Sequence, residues 1–234
     1  MSTRKKRKKQ GKNIAHGPVL KNYSISAKTP GQKEYLKTIN ENEVTICLGE
    51  AGTGKTYLAS SWGIVSLMQN KYEKLVISRP LVQSGADMGY LPGGINQKLQ
   101  PYLEPIYDEL EHYASRSDIY RLQNSGKIKV VPFGFMRGRN FHDSFIIVDE
   151  VQNCSESELK LLLTRLGMGS KMVLTGDTKQ SDLAVKDRGA IEKYSKILEN
   201  VDNVGICRLG TSDIVRNPTV EKILLAVEQY EKGE

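Results

Sequence analysis

The chain has 234 residues, 38% hydrophobic and 26% charged, with a formal net charge of +7. That length suits one sizeable α/β domain and is short for two. The positive balance belongs to one end: Arg4, Lys5, Lys6, Arg7, Lys8, Lys9 and Lys12 open the sequence without an acid among them, and the rest is formally neutral, which excludes a uniformly basic body.

Residues 1–20 therefore read as a loose tail with almost nothing to bury. Three roles fit it: a solvated terminus, an arm on RNA or DNA phosphates, or a nuclear address. Salt-dependent binding that disappears on deleting residues 1–12 separates the first two. From residue 21 onward a single domain is expected. Thr29-Pro30 pairs an N-cap with the proline favoured at a first helical position and opens a helix to about Asn40.

Val44, Ile46 and Leu48 mark a buried strand running into GEAGTGKT, and beyond Thr56 apolar Leu58, Trp62, Val65 and Met68 recur on one helical face. This strand, glycine-rich loop and helix form the P-loop pattern. Gly49, Glu50, Ala51, Gly52, Thr53 and Gly54 supply backbone N–H groups to phosphate oxygens, Lys55 reaches the β- and γ-phosphates, and Thr56 offers its hydroxyl to Mg²⁺. The new helix adds its positive end. A nucleoside triphosphate and Mg²⁺ are the ligands implied.

LVIS (75–78) is a short strand closed by Arg79-Pro80. A helical insertion at about 80–125 follows, broken by GYLPGG, Pro101 and Pro105. Its Tyr90, Tyr102, Tyr107 and Tyr113, with Lys98, Arg116 and Arg121, either line a channel for stacked bases or pack a helical pair. His112 and His142 have no matching partners and read as structural or exposed.

KIKVV (127–131), FIIVD (145–149), KMVLT (171–175) and NVGICRL (203–209) read as further strands. Between them, Ser155 and Glu158 make a capping box for a helix with Leu159, Leu162, Leu163 and Leu166 inward, stopping at Gly167. A last helix is capped by Asn217, begun by Pro218 and buries Val220, Ile223, Leu224 and Val227. Strands alternating with helices imply an α/β fold, a mostly parallel sheet covered on both faces, with chemistry at the strands' carboxyl ends.

FIIVDE (145–150) ends in two acids. Asp149 holds Mg²⁺ through water, and Glu150 orients and polarises an attacking water, which favours hydrolysis over transfer. VLTGDTKQSDL (173–183) carries Gln180, a candidate sensor of the γ-phosphate. Cys47, Cys154 and Cys207 are odd in number and widely spaced, hence reduced, with Cys47 and Cys207 in buried runs. No signal peptide or membrane-length apolar stretch is seen, so a cytoplasmic protein without a membrane partner is expected.

GEAGTGKT, IIVDEVQN and TGDTKQSDL, in this order, resemble the nucleotide-binding motifs of superfamily 1 helicases. With ISRPLVQSG (77–85), FMRGRNF (135–141) and DIVRNPTV (213–220), the pattern over residues 25–232 is similar to the PhoH-like ATPase family. The resemblance implies a RecA-like core that binds and hydrolyses ATP, linked to RNA or single-stranded DNA in a helicase-like manner. It implies Lys55 and Thr56 on phosphate and Mg²⁺, Asp149 and Glu150 as metal and water residues, Gln180 as sensor, and Gln32 on the adenine edge. Family members usually carry His where this chain has Asn217, which leaves any role of that side chain open. Some relatives have an appended ribonuclease domain, and no nuclease activity is expected of this chain.

A one-lobed core needs an arginine to neutralise charge developing on the γ-phosphate, from within or from a neighbour. A homo-oligomeric ring, a hexamer foremost, follows. Arg216 is the leading candidate, then Arg137 and Arg139, then Arg79 and Arg165. Two other functions stay open: a P-loop kinase of a small acceptor, and an ATP-dependent assembly switch without turnover.

Overall fold

The computed structural model describes residues 24–80, 104, 106–177, 181, 183, 188–215, 219, 223 and 226. Gln180, Arg216, the basic tail and the helix expected after Asn217 thus lie outside the described residues or largely so. Six strands build one sheet: β1 (Val44–Gly49), β2 (Lys74–Ser78), β3 (Ile128–Val130), β4 (Ser144–Val148), β5 (Lys171–Gly176) and β6 (Val204–Leu209). Their order is β3-β2-β4-β5-β1-β6 and every pairing is parallel. The sequence reading of a mostly parallel α/β sheet is met in full.

Parallel sheets need cover on both faces, so their strands are apolar almost throughout. β4 shows it: Phe145 and Ile147 enter one core, Ile146 and Val148 the other. The first core is closed by α1 (Pro30–Glu41), α2 (Lys55–Met68), a helix α3 at 106–111 and α4 (Arg116–Asn124). The second is closed by α5 (Glu156–Leu163), α6 (Ala190–Leu198) and the turn Phe133–Met136.

Local signals mostly act as expected. Thr29 caps α1, its hydroxyl accepting from Gln32 N–H at 3.1 Å, and the Ser155–Glu158 capping box is present on α5. Two expectations need correction. α2 does not bury one face only: Ser60, Ser61 and Ser66 are buried with Leu58 and Ile64, while Trp62 and Met68 are half-buried, because the helix packs on the sheet and on α1 together. α5 stops at Leu163, short of Gly167. Gly167 serves a close approach instead: its N–H bonds Phe141 O at 2.8 Å, and a Cβ would come within 2.3 Å of that oxygen.

Tyr107 and Tyr113 pack in or against the first core, and Arg116 pairs with Glu104 and Glu111. Of the two readings for the insertion's tyrosines, these two follow helix packing. Tyr90, Tyr102 and Lys98 lie outside the described residues. Cys47, Cys154 and Cys207 are buried and free, and burial pushes the Cys47 thiol well up. No helix among the described residues is long and apolar enough to cross a membrane.

Lys171, at the start of β5, caps the end of α1 by donating to the carbonyls of Ile39 and of Asn40, the latter at 2.9 Å. Its ammonium lies 5.4 Å from the Trp62 ring centre. Burial first, then the charge of Lys71, lowers its pKa from the ordinary 10.5 to about 8, against an opposing pull from Glu43. Between those two values the unfolded chain holds more protons than the folded one, so this residue's contribution to stability rises with pH through that window. Urea unfolding of wild type and Lys171→Met across the window from about pH 8 to 10.5 should show wild type gaining on the variant as pH rises.

Candidate active site

The carboxyl ends of β1, β4 and β5 converge on a cavity of about 250 Å³, lined among others by Gly52, Gly54, Lys55, Thr56, Asp149, Glu150 and Asp177. Glu50 and Ala51 begin the loop over it, and Thr53 is buried with its hydroxyl on Glu50 O at 2.7 Å. The backbone geometry explains the glycines. Gly52 and Gly54 sit at φ 86° and 82°, a region that side chains rarely tolerate, and a Cβ on Gly49 would lie 2.6 Å from Leu209 O. Gly54 ends the loop where α2 begins at Lys55, so the helix's free N–H groups face the cavity.

Lys55 is buried, and its ammonium donates to Gly49 O at 2.7 Å and Glu50 O at 2.8 Å. Burial lowers its pKa, an effect opposed by Cys47, Asp177, Asp149 and Glu150. The acids around it therefore help keep it charged. Asp149 Oδ1 accepts from the hydroxyls of Thr56 at 2.8 Å and Thr175 at 2.6 Å. Two hydroxyls on one oxygen fix the carboxylate's direction and leave its other oxygen for a hydrated cation. The donors are hard oxygens, as Mg²⁺ requires. Among the described residues no cluster of His, Cys, Asp or Glu could hold a metal alone.

Glu150 follows in the left-handed region at φ 59°, ψ 38°. Such a conformation in a non-glycine residue costs about 1–2 kcal/mol and persists where its surroundings hold it. Here Arg79 donates to Glu150 Oε1 at 3.1 Å and Gln152 donates to Oε2. Gln152 is buried and its own Oε1 accepts from Asp177 N–H at 3.0 Å, tying the acid pair to the end of β5. Neither Thr175 nor Gln152 was singled out by sequence. Thr175 is next to last in an apolar strand, beside Cys47, and Gln152 lies two residues past Glu150, so polarity near a strand end is the available signal.

Replacing Gln152 by Ala leaves the Asp177 N–H and one Glu150 oxygen without this partner. Were the site to hydrolyse a nucleotide, phosphate release by this variant would be roughly tenfold to a hundredfold slower with nucleotide affinity little changed, read by phosphate release and fluorescent-nucleotide titration.

Gln32 reaches the loop from α1. Its Nε2 donates to Thr53 O at 3.0 Å and its Oε1 accepts from Lys28 N–H at 2.7 Å. It lines a second cavity of about 410 Å³ that shares Gly52, Gly54, Tyr57 and Glu109 with the first. His112 lines this cavity too, edge-on to Tyr57 with ring centres 5.7 Å apart. Glu109, brought in by α3, has its pKa raised by burial foremost, with Asp108 and Asp149 adding to the rise and His112 opposing it.

The arginines divide. Arg79 is engaged with Glu150 in the same chain, and Arg137, Arg139 and Arg165 do not line the cavity. Val215, the residue before Arg216, donates its N–H to Gly52 O at 3.0 Å, which brings the chain to the loop at that point.

A parallel sheet with this loop after β1 and an acid pair after β4 defines a P-loop NTPase domain with a RecA-like core. The chain belongs to the PhoH-like protein family, whose profile matches residues 24–228. It is 43% identical over 210 residues to a PhoH-like protein of Synechocystis sp., covering 90% of this chain and 63% of that relative. A PhoH-like protein of Bacillus subtilis is 39% identical over 212 residues, 91% of this chain and 66% of its own length. The chain thus spans about two thirds or less of these relatives. Among solved structures, the large terminase of a thermophilic bacteriophage superposes with a TM-score of 0.51 at 12% identity, covering 83% of this chain and 49% of that one, a likeness of fold.

Proposed function

We propose that the chain hydrolyses ATP and couples that hydrolysis to RNA or single-stranded DNA, working as a homo-oligomeric ring, foremost a hexamer. The observation that carries the reading is the Thr56–Asp149 contact of 2.8 Å in a cavity that Lys55 and Glu150 also line. Loop amides and Lys55 bind the triphosphate, and the adenine lies in the adjoining cavity with Gln32 at its edge. Thr56 and Asp149 would hold Mg²⁺, which would supply charge neutralisation at the phosphates. Glu150, steadied by Arg79 and Gln152, receives the proton of the attacking water. Gln180 senses the γ-phosphate and Arg216 reaches the site of an adjacent copy.

Phosphate release from magnesium-ATP by the full chain, alone and with RNA or single-stranded DNA, is the test. Release stimulated by a polymer, with a ring-sized mass in native mass spectrometry, supports the whole reading. Folded protein that binds ATP without releasing phosphate overturns the hydrolysis and leaves the assembly switch. Release indifferent to both polymers removes the nucleic-acid part. Transfer of labelled phosphate to an acceptor instead of water would establish the kinase.

A further inference from the structure

The β3–β4 and α5–β5 connections meet as a short ribbon on the protein's surface. Phe141 bridges Leu166, its N–H donates to Arg165 O at 3.1 Å, and Arg165 Nη1 donates to Arg139 O at 3.4 Å. Arg137 and Arg139 are exposed and Arg165 is half-buried. Among the described residues none of the three forms an ion pair with a carboxylate. Arg165 donates to neutral acceptors, Leu161 O and the Thr164 hydroxyl, and Arg139 lies 5.3 Å from the Phe141 ring centre. Three arginines without an ion pair among the described residues thus lie on these two connections, in a chain whose sequence beyond the tail is neutral.

An exposed aromatic ring lies two residues before Arg137 on the same connection. Phe135 is 57% exposed, although burying a phenylalanine is worth about 1.5–3 kcal/mol. Gly134 and Gly138 flank it with open space: a Cβ at either meets nothing within 4 Å. Guanidinium forks match phosphate oxygens, and an exposed ring accepts any base on its face. The same connection runs into β4, and Asp149 and Glu150 follow at that strand's other end.

We propose that this ribbon docks single-stranded nucleic acid, with Arg137, Arg139 and Arg165 on backbone phosphates and a base stacked on Phe135. The proposal rests on the nucleic-acid reading above and assigns it a surface.

Fluorescence anisotropy of the full chain with labelled oligouridylate and oligothymidylate, over a salt series, tests it. The variants are Arg137→Ala/Arg139→Ala, Phe135→Ala and, as a charge-matched control on the exposed side of α1, Lys33→Ala/Lys37→Ala. The double arginine variant should lose roughly 0.7 per arginine from the slope of log affinity against log salt. Phe135→Ala should bind roughly 5- to 100-fold more weakly at an unchanged slope, and the lysine control should match wild type. Wild-type affinity and slope in both ribbon variants overturn the assigned surface while the wider reading survives. If wild type binds neither polymer, that wider reading fails and the proposal with it. Loss of oligomer mass in the ribbon variants, with binding per chain intact, makes the ribbon a contact between copies and overturns the proposal as well.

Discussion

Glu150→Gln should still bind ATP and should turn it over roughly 10²- to 10⁴-fold more slowly, the range lost with a positioned general base. The amide keeps the size of the carboxylate and one acceptor oxygen, so the loop, Lys55 and the Thr56–Asp149 pair are undisturbed. What disappears is the site able to take a proton from water, together with the charge facing Arg79. Single-turnover phosphate release beside a fluorescent-nucleotide titration checks both halves. If turnover is unaltered, another group is the base. If affinity collapses too, Glu150 holds the loop and not the water.

Lys55→Ala should act on the other half, weakening ATP binding roughly 10- to 100-fold or more, since hydrogen bonds to charged groups are worth about 1.5–3 kcal/mol and 1.4 kcal/mol is a factor of ten. The ammonium is already aimed by Gly49 O and Glu50 O, so its loss removes an oriented charge rather than a mobile one. Folding should suffer little: truncation also relieves the burial that depresses this group's pKa. Calorimetric titration with magnesium-ATP, with melting temperature as the control, measures it. Lys55→Arg should recover the charge without the affinity, because a planar fork does not fit where a compact ammonium bonds two adjacent carbonyls.

The sequence disclosed most of what is local. β1 through β6 were legible because buried parallel strands are short apolar runs, and the caps at Thr29 and Ser155 because their hydroxyls act within three residues. The phosphate loop and both acids were legible for the same reason, each being a contiguous string. Contacts across the chain were not. Thr56 and Asp149 are 93 positions apart, and nothing in either string says that Thr175 shares the same oxygen. Arg79 looked free to serve a neighbour and is bound to Glu150 over 71 positions. Gly167 looked like a helix end and instead admits a backbone from another connection, a demand set by the fold and invisible to periodicity.

The left-handed twist at Glu150 has a bearing on how this chain would respond to being made hardier. Glycine adopts that conformation freely and asparagine more readily than most residues. A screen rewarding heat resistance alone would therefore favour replacing the acid there, gaining on the order of 1 kcal/mol while losing the carboxylate that the proposed hydrolysis uses. On the proposed function, robustness and activity compete at one position of the main chain, so stabilising changes are better sought far from it.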